Sequence, residues 1–316
     1  MINVTLKQLR YFDALARHGH FGRAAESCSV SQPALSMQIK ELEATLAVDL
    51  FERGARDVRL TGFGEQFAVR AREILRSVND LEDIARASQS SLIGQLRIGV
   101  IPTVAPYLLP TIIGNLTHAY DGLEIHVRET LTAKLIEDLI DGRLDTAIVA
   151  LPVSEPAFVE VPLFSEEFVL VRPSADVDKP VPDRDSLREM RLLLLEEGHC
   201  FRDQALSFCN MRSALPRELL DGSSLSTLVQ MVGAGIGVTL IPEMAVAVET
   251  KSANVSATRF KKPKPTRTIG MIWRKSTPLA EQLTKIADIV RQSAETLRAQ
   301  NNAFQAKSDL DVMSPS

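Results

Sequence analysis

Ser31-Gln32-Pro33-Ala34-Leu35-Ser36-Met37-Gln38-Ile39-Lys40 is the stretch that decides the fold of the N-terminal part of this chain. Serine is a favoured helix N-cap and proline is tolerated in a first helical turn, so a helix is expected to begin here. Leu35 and Ile39 share one side of that helix. Polar side chains remain available on its other sides, and these are Gln32, Ser36, Gln38 and Lys40.

The segments on either side extend this pattern. Residues 6–25 carry apolar residues at helical spacing, and the pattern breaks at residues 28–30. A basic, turn-rich segment over residues 53–61 suits a small wing. Helix, turn, helix and wing predict a winged helix-turn-helix over residues 1–62, with the second helix in the major groove of DNA. The expected DNA contacts are Ser31, Gln32, Pro33, Ser36, Gln38, Lys40, Arg53 and Arg56.

Charge by itself does not indicate nucleic-acid binding. The net charge is −4, so any basic surface must be assembled by the fold. The alternative interpretation of residues 1–62 is therefore an ordinary helical hairpin with a solvated polar face.

Residues 63–91 predict one long helix that links two parts of the chain. Its apolar residues are spaced alternately by four and three, which is a heptad pattern and indicates a dimer interface. The competing interpretation is a helix packed on its own domain. The predicted seam consists of Phe67, Ala71, Ile74, Val78, Leu81, Ala85 and Ser88.

From residue 92 the pattern becomes α/β. Strands are predicted at 96–100, 123–128, 146–150, 168–171, 192–195, 238–241 and 268–273, and helices at 104–118, 132–141, 202–209, 224–234 and 278–298. This alternation favours two α/β subdomains that form an effector domain over residues 92–300, resembling periplasmic binding proteins. Subdomain I would take 92–164 and 267–300, and subdomain II 165–266, with a ligand cleft between them. Residues 301–316 are expected to be a disordered tail.

Two cysteines lie nine residues apart near the middle of this domain. Cys200 follows an apolar strand and Gly198, so it is expected at a strand-to-helix turn, where a helix N-terminus favours an anionic thiolate. In a continuous helix, Cys200 and Cys209 would be about 13.5 Å apart, whereas a disulfide needs Cα atoms within roughly 7 Å. Bridging them would require local unfolding and would act as a switch. Alternatively, they are unrelated thiols.

Composition restricts the class of protein. The chain has 316 residues, 45% of them hydrophobic, and 3 cysteines. No apolar run reaches the roughly 18 residues of a membrane span, and no signal peptide is evident at the N-terminus. A cytoplasmic protein without cofactor or metal is expected, and there a disulfide is more often regulatory than structural.

Residues 5–298 resemble the LysR-type transcriptional regulators. In the first 66 residues the resemblance rests on ordered motifs, and in the effector domain on the glycine-rich segment 232–242. The N-terminal motifs are Leu9-Arg10-Tyr11-Phe12, Phe21, Ala24-Ala25, Ser31-Gln32-Pro33-Ala34-Leu35-Ser36, Ile39, Leu42-Glu43, Leu50-Phe51-Glu52-Arg53 and Leu60-Thr61-Gly62.

Two further segments, 99–110 and 197–205, resemble the members of this family that sense hydrogen peroxide. By this resemblance, Cys200 is the thiol that reacts with peroxide, and Cys209 resolves the product by forming a disulfide with it. Cys28, in the DNA-binding domain, is interpreted as structural. The resemblance also places a peroxide pocket at Thr103, Thr132, Gly198, His199 and Arg267.

The resemblance implies a peroxide-sensing activator of antioxidant genes and not an enzyme. Its expected partners are promoter DNA, a second copy in a homodimer that pairs into a homotetramer, and RNA polymerase, with no membrane. One alternative is a LysR-type regulator that binds a small organic effector in the cleft and whose cysteines are incidental. A thiol peroxidase is a third possibility, which the helix-turn-helix pattern disfavours.

Overall fold

A computed structural model describes residues 3–52, 58–87, 94–209, 221–262 and 264–312, and the chain divides into two compact units, Met1–Ala85 and Arg86–Ser316. The helices are α1 (Leu6–His18), α2 (Phe21–Ser27), α3 (Gln32–Leu46), α4 (Gly62–Ala87), α5 (Ala105–Ala119), α6 (Thr132–Ile140), α7 (Arg184–Glu189), α8 (Cys200–Phe208), α9 (Leu225–Gly233), α10 (Val246–Glu249) and α11 (Ala280–Val312). The strands are β1 (Gly94–Val100), β2 (Leu123–Glu129), β3 (Thr146–Leu151), β4 (Phe158–Pro173), β5 (Leu192–Leu195), β6 (Asp221–Gly222), β7 (Val238–Pro242), β8 (Val255–Arg259) and β9 (Thr266–Arg274). No helix within the described ranges is both long and apolar enough to span a membrane.

The first unit is built around the fully buried ring of Phe12. This ring contacts Phe51 and Phe67 at centroid distances of 5.3 and 5.0 Å, so α1 is packed against both the chain after α3 and the start of α4. Leu35 and Ile39 point from α3 into the same core, as their spacing predicts. Phe51 pairs with Leu60 in an antiparallel bridge, which forms the stem of the predicted wing.

Some apolar residues of helix α4 are packed in the first unit, and others are exposed. Ala71 is buried and Phe67 is packed in the core of the first unit, so these two predicted seam residues serve the alternative, intradomain packing. Ile74 and Leu81 are exposed on the same helix. A seam between two chains is therefore available only from Ile74 onward; Ser88 lies outside the described residues.

The second unit contains one sheet with strand order β2-β1-β3-β9-β4-β7-β5-β6, to which β8 is added beside β4. The strands β1, β2 and β3 are parallel at one end, and β5, β6 and β7 are parallel at the other. Strands β4 and β9 join the two ends. The first part of β4 pairs with β9, and its last residues pair with β7 and β8. The predicted fold class is confirmed: a helix-turn-helix unit, a long helix and an effector unit with two α/β halves.

Three differences from the sequence-based assignment have physical causes. The first part of β4 and all of β8 were not predicted, because β4 carries a proline and several glutamates and β8 is only half-buried. Helix α8 begins at Cys200, two residues earlier than predicted. Residues 301–312 continue α11 instead of forming a disordered tail, since this segment contains no glycine or proline and several good helix formers.

Candidate functional site

Cys200 lies at the turn between β5 and α8, as the sequence predicts. Gly198 in this turn has a φ of +94°, and a Cβ atom added to it would lie 2.9 Å from Leu131 Cδ1. A side chain at this position would therefore be strained and would collide with its neighbour. Because Leu131 directly precedes α6, this close approach holds the turn before Cys200 against the N-terminus of the helix that begins at Thr132.

The two effector-domain cysteines bound one short helix. Cys200 is the first residue of α8 and is partly exposed, whereas Cys209 is its C-terminal cap and is fully buried. Next to Cys209, the ring of Phe208 contacts that of Phe260 at 5.2 Å. The thiols thus occupy opposite ends of a regular helix, and joining them requires this helix to unfold.

Thr103 and Arg267, two of the predicted pocket residues, are in direct contact. The side chain of Arg267 is 0% exposed. Its Nη1 donates to Thr103 Oγ1 at 2.7 Å, and its Nη2 donates to the Thr103 carbonyl at 3.1 Å. Its Nε donates to Glu166 Oε1 at 2.8 Å, which neutralises the buried charge.

Phe201 connects this cluster to Cys200. Its ring lies 5.2 Å from the Arg267 guanidinium carbon and 4.7 Å from the ring of Phe168. The residue next to Cys200 is therefore packed against the buried arginine. These contacts place the first turn of α8 against β4 and β9, the strands that join the two ends of the sheet.

His199 is the residue at the N-cap of α8, but its side chain makes no capping hydrogen bond among the described residues. Burial lowers the pKa of His199 below its ordinary value, and the charge of Glu196 opposes this shift. The neutral imidazole is thus favoured beside Cys200.

Arg202, in the first turn of α8, has a structural role. Its Nη1 donates to the Leu195 carbonyl at 2.7 Å and to Asp221 Oδ1 at 2.6 Å. These bonds anchor α8 to β5 and β6.

Three helices that carry predicted pocket residues share an uncapped N-terminus. Among the described residues, no side-chain cap is found at α5, which starts two residues after Thr103, at α6, which starts at Thr132, or at α8. By contrast, α1, α3 and α9 are capped by Thr5, Ser31 and Ser224. N–H groups that lack an acceptor carry partial positive charge and favour anions. This applies to α6 and α8 but not to α5, whose first N–H groups bond backbone carbonyls and whose second residue is Pro106.

A second hydrogen-bond chain, through Glu249, links the two halves of the effector unit. The Tyr107 hydroxyl of α5 donates to Glu249 Oε1 at 2.6 Å, and the Ser226 hydroxyl of α9 donates to Oε2 at 2.6 Å. Burial and the adjacent Glu249 raise the pKa of Tyr107 well above its usual range, so its hydroxyl stays protonated as the donor.

In the first unit, α3 presents the predicted DNA-contacting residues. Ser31 caps the helix by accepting a bond from Ala34 N at 3.4 Å. Gln38 is half-buried and donates to Glu41 Oε2 at 2.8 Å, so it is partly engaged within the helix. Ser31, Gln32, Pro33 and Lys40 are exposed and Ser36 is half-buried. The predicted contacts Arg53 and Arg56 lie outside the described residues.

Sequence reasoning missed three residues at these sites. Met37 is 62% exposed on α3, and its apolar character gave no signal for an outward position. Gln204 lies one turn after Cys200, and its buried Oε1 has no hydrogen-bond partner in the described part of the chain. The i, i+4 spacing from Cys200 could have identified Gln204. Glu166 was missed because it contacts Arg267 only through the pairing of β4 with β9.

Comparison with known proteins identifies families that cover most of the chain. Residues 6–65 match the bacterial regulatory helix-turn-helix protein, lysR family, and residues 89–295 match the LysR substrate binding domain. A probable hydrogen peroxide-inducible genes activator of Streptomyces viridosporus is 44% identical over 298 residues, covering 93% of this chain and 95% of that protein. The DNA-binding transcriptional dual regulator OxyR of Escherichia coli K12 is 42% identical over 293 residues, covering 91% and 95%.

Solved structures give the same result. A full-length OxyR variant from Pseudomonas aeruginosa is 37% identical with a TM-score of 0.71, covering 92% of this chain and 95% of that one. A hydrogen-peroxide-bound OxyR mutant from Corynebacterium glutamicum is 34% identical with a TM-score of 0.66, covering 96% of both chains. The oxidised form of that protein is 33% identical with a TM-score of 0.60, covering 96% and 95%.

Proposed function

We propose, from the premise that this chain belongs to the LysR family of bacterial helix-turn-helix regulators, that it regulates transcription in response to hydrogen peroxide through Cys200 and Cys209. Relatives named as peroxide-inducible activators cover almost the whole chain, and one similar OxyR structure is described as bound to hydrogen peroxide. Target genes of an antioxidant type and a cytoplasmic site of action belong to the same proposal.

The first chemical step is oxidation of Cys200. The thiolate attacks one peroxide oxygen, an S–O bond forms as the O–O bond breaks, and the departing hydroxide takes a proton to become water. Sulfenic acid at Cys200 then condenses with the Cys209 thiol, which forms the disulfide and releases a second water. The two thiols are oxidised by two electrons in total, and peroxide is reduced to two waters.

The observation that carries the proposal is the group of uncapped helix N-termini around Cys200. The thiolate before attack and the hydroxide after it are both anions, and the N-termini of α6 and α8 stabilise negative charge. Contacts of Phe201 with Arg267 and of Gly198 with Leu131 bring these elements to one place. Thr103, Thr132, Gly198, His199 and Arg267 form the proposed peroxide pocket.

The same helix provides the switch. Closing a loop of this length constrains the unfolded chain by about 3 kcal/mol at most. Cys209 and Phe208 must leave buried positions for the disulfide to form, which offsets part of that gain. We therefore expect a strained disulfide that is readily reduced, as a reversible sensor requires. Unwinding α8 would change how effector units pack and hence the spacing of the DNA-binding units.

The burial of Thr103 and Arg267 disfavours the alternative of a small organic effector. The two side chains are bonded to each other, so neither can bind an effector without a rearrangement. Hydrogen peroxide needs far less space than an organic acid. Displacing the Arg267–Glu166 pair would also leave a buried charge uncompensated.

For DNA, we propose that α3 enters the major groove with Ser31, Gln32, Pro33, Ser36, Gln38 and Lys40, while Arg53 and Arg56 contact the backbone. The exposed residues Ile74 and Leu81 on α4 would form a seam with a second copy. Dimers would pair into tetramers on inverted half-sites and contact RNA polymerase. Sedimentation of the double variant Ile74→Glu, Leu81→Glu tests the seam: monomers are expected, and an intact dimer would contradict it.

One titration tests the function as a whole. Reduced protein is mixed with increasing hydrogen peroxide, and promoter binding and the number of free thiols are followed in the same samples. We expect DNA binding to change in step with the loss of two thiols per chain. A change in DNA binding that follows an organic ligand and leaves the thiols intact would favour the effector-binding alternative.

A further inference from the structure

The mechanism above does not use Glu166, a carboxylate on β4 that is 2% exposed. It lies directly opposite Arg267 in the pairing of β4 with β9. Oε1 accepts the bond from Arg267 Nε at 2.8 Å, and Oε2 accepts a bond from Met244 N at 3.2 Å. Both carboxylate oxygens are thus engaged, and the carboxylate is held between two donors on different elements.

The position of Arg267 determines what Thr103 can do. A guanidinium has hydrogen-bond donors and no acceptor, so the bond of Arg267 Nη1 to Thr103 Oγ1 uses the hydroxyl oxygen as acceptor. The hydroxyl hydrogen of Thr103 is then directed away from Arg267. Thr103 is therefore left as a donor toward any neighbouring oxygen.

We propose that Glu166 is a positioning residue for the oxidation of Cys200, a role that rests on the proposed function. It holds Arg267 in the orientation that makes Thr103 a hydrogen-bond donor to the departing oxygen. As the Cys200 S–O bond forms and the O–O bond breaks, the departing hydroxide accepts this bond. It then takes up from the solvent one proton, which balances the proton that the Cys200 thiol lost on ionising. Glu166 touches neither peroxide nor sulfur and acts only through Arg267.

The substitution Glu166→Gln separates charge from shape. An amide has one acceptor oxygen, so it cannot serve both Arg267 Nε and Met244 N, and its NH2 group would face one of these donors. The buried guanidinium would also lose its counter-charge. Arg267 would therefore shift and release Thr103.

A matched control lies next to it in the chain. Glu167 points to the other face of β4 and pairs with Lys264 Nζ at 2.7 Å and with Arg259 Nη1 at 3.5 Å. Glu167→Gln removes the same charge from the same strand without touching Arg267.

The experiment compares two reactions of Cys200 in the reduced full-length protein: oxidation by hydrogen peroxide and alkylation by iodoacetamide. Alkylation breaks no O–O bond and leaves no oxygen anion, so it reports access and thiolate content alone. We expect Glu166→Gln to slow oxidation by about tenfold or more and to change alkylation by less than about twofold. Glu167→Gln is expected to change neither rate.

Unchanged oxidation in Glu166→Gln would overturn the assignment, and so would an equal loss of both rates, which would indicate general damage to the site. If Glu166→Gln does not fold, Glu166→Asp is tested instead, because aspartate keeps the charge but its shorter side chain cannot reach both donors. Slower oxidation with unchanged alkylation would support the positioning role of Glu166. Unchanged oxidation would contradict it. Failure of the proposed function has a different result, namely wild-type protein whose Cys200 stays unoxidised after treatment with hydrogen peroxide.

Discussion

Two helices of this protein, α3 and α8, have similar positions after a turn but differ in how their first turns are completed. Helix α3 is capped by the Ser31 side chain, and its apolar side is packed in the core of the first unit. Helix α8 follows His199, whose side chain forms no capping bond within the described ranges, and it has nine residues. The first turn of α8 therefore lacks the side-chain acceptor that Ser31 gives to α3.

The difference between α3 and α8 matches the roles that we propose for them, DNA recognition for α3 and peroxide sensing for α8. A capped and well-packed helix keeps its side chains in fixed positions, whereas a short helix without a side-chain cap unfolds at lower cost. The proposed DNA contacts thus lie on a helix with a cap, and the proposed reactive thiol lies on a helix without one.

The largest expected effect comes from removing the reactive thiol of α8. Cys200→Ser should keep promoter binding in the reduced state and lose the entire response to peroxide, because no sulfenic acid can form. Cys209→Ser should still be oxidised and retain sulfenic acid or a mixed disulfide at Cys200. Reporter transcription with and without peroxide measures this, and Cys28→Ser serves as the control that responds normally. A peroxide response in Cys200→Ser would refute the separation of roles.

On α3, a change should affect recognition alone. Gln32→Ala is expected to weaken specific promoter binding by about 1–3 kcal/mol, the range for a lost base contact. Lys40→Ala should instead lower affinity for all sequences and reduce its salt dependence. Fluorescence anisotropy with specific and random DNA distinguishes these outcomes. In both variants Cys200 should be oxidised at the wild-type rate. Slower oxidation in either would contradict the assignment of recognition and sensing to separate helices.

Removing the cap of α3 and adding a cap to α8 tests the comparison of the two helices more sharply. Ser31→Ala should reduce the free energy of unfolding by about 1 kcal/mol, because Ala34 N loses its acceptor. His199→Ser should stabilise α8 by a similar amount and slow the oxidation of Cys200, since the new hydroxyl competes for the free N–H groups. Urea unfolding and peroxide kinetics measure the two effects. Faster oxidation in His199→Ser would contradict the argument from the uncapped N-terminus.

The smallest expected effect is a pH dependence of α8. Burial lowers the pKa of His199 from its ordinary 6.5, so the unfolded chain binds a proton more readily than the folded one between the two values. Stability should therefore fall as the pH is lowered through this window, and His199→Gln should remove that part of the dependence. Urea unfolding at about pH 7.5 and about pH 5.5 measures it. If stability instead increased on acidification, and this increase were lost in His199→Gln, the prediction would be contradicted.

Most of the fold follows from local patterns. The cap at Ser31, the alternating strands and helices, and the turn before Cys200 are all encoded within a few residues. What sequence could not reveal depends on long-range pairing. Glu166 is recognisable only because β4 and β9 place it opposite Arg267, 101 residues away.

The sequence alone also does not show where every side chain points or what it contacts. Arg202 bonds Leu195 and Asp221, and the sequence gives no sign of these partners because β5 and β6 bring them to α8. Ala71 fits a heptad by spacing but is buried in its own domain, since helical spacing alone does not say which partner covers a face. Met37 is apolar, yet its side chain is exposed on α3.

The measurement that tests the central claim most directly is disulfide mapping by mass spectrometry of the full-length protein after treatment with a small excess of hydrogen peroxide. The account predicts one intramolecular disulfide between Cys200 and Cys209, with Cys28 still available for alkylation. The linkage should appear at the same peroxide concentration as the change in promoter binding. Promoter activation without this linkage, or with a disulfide that involves Cys28, would contradict the account.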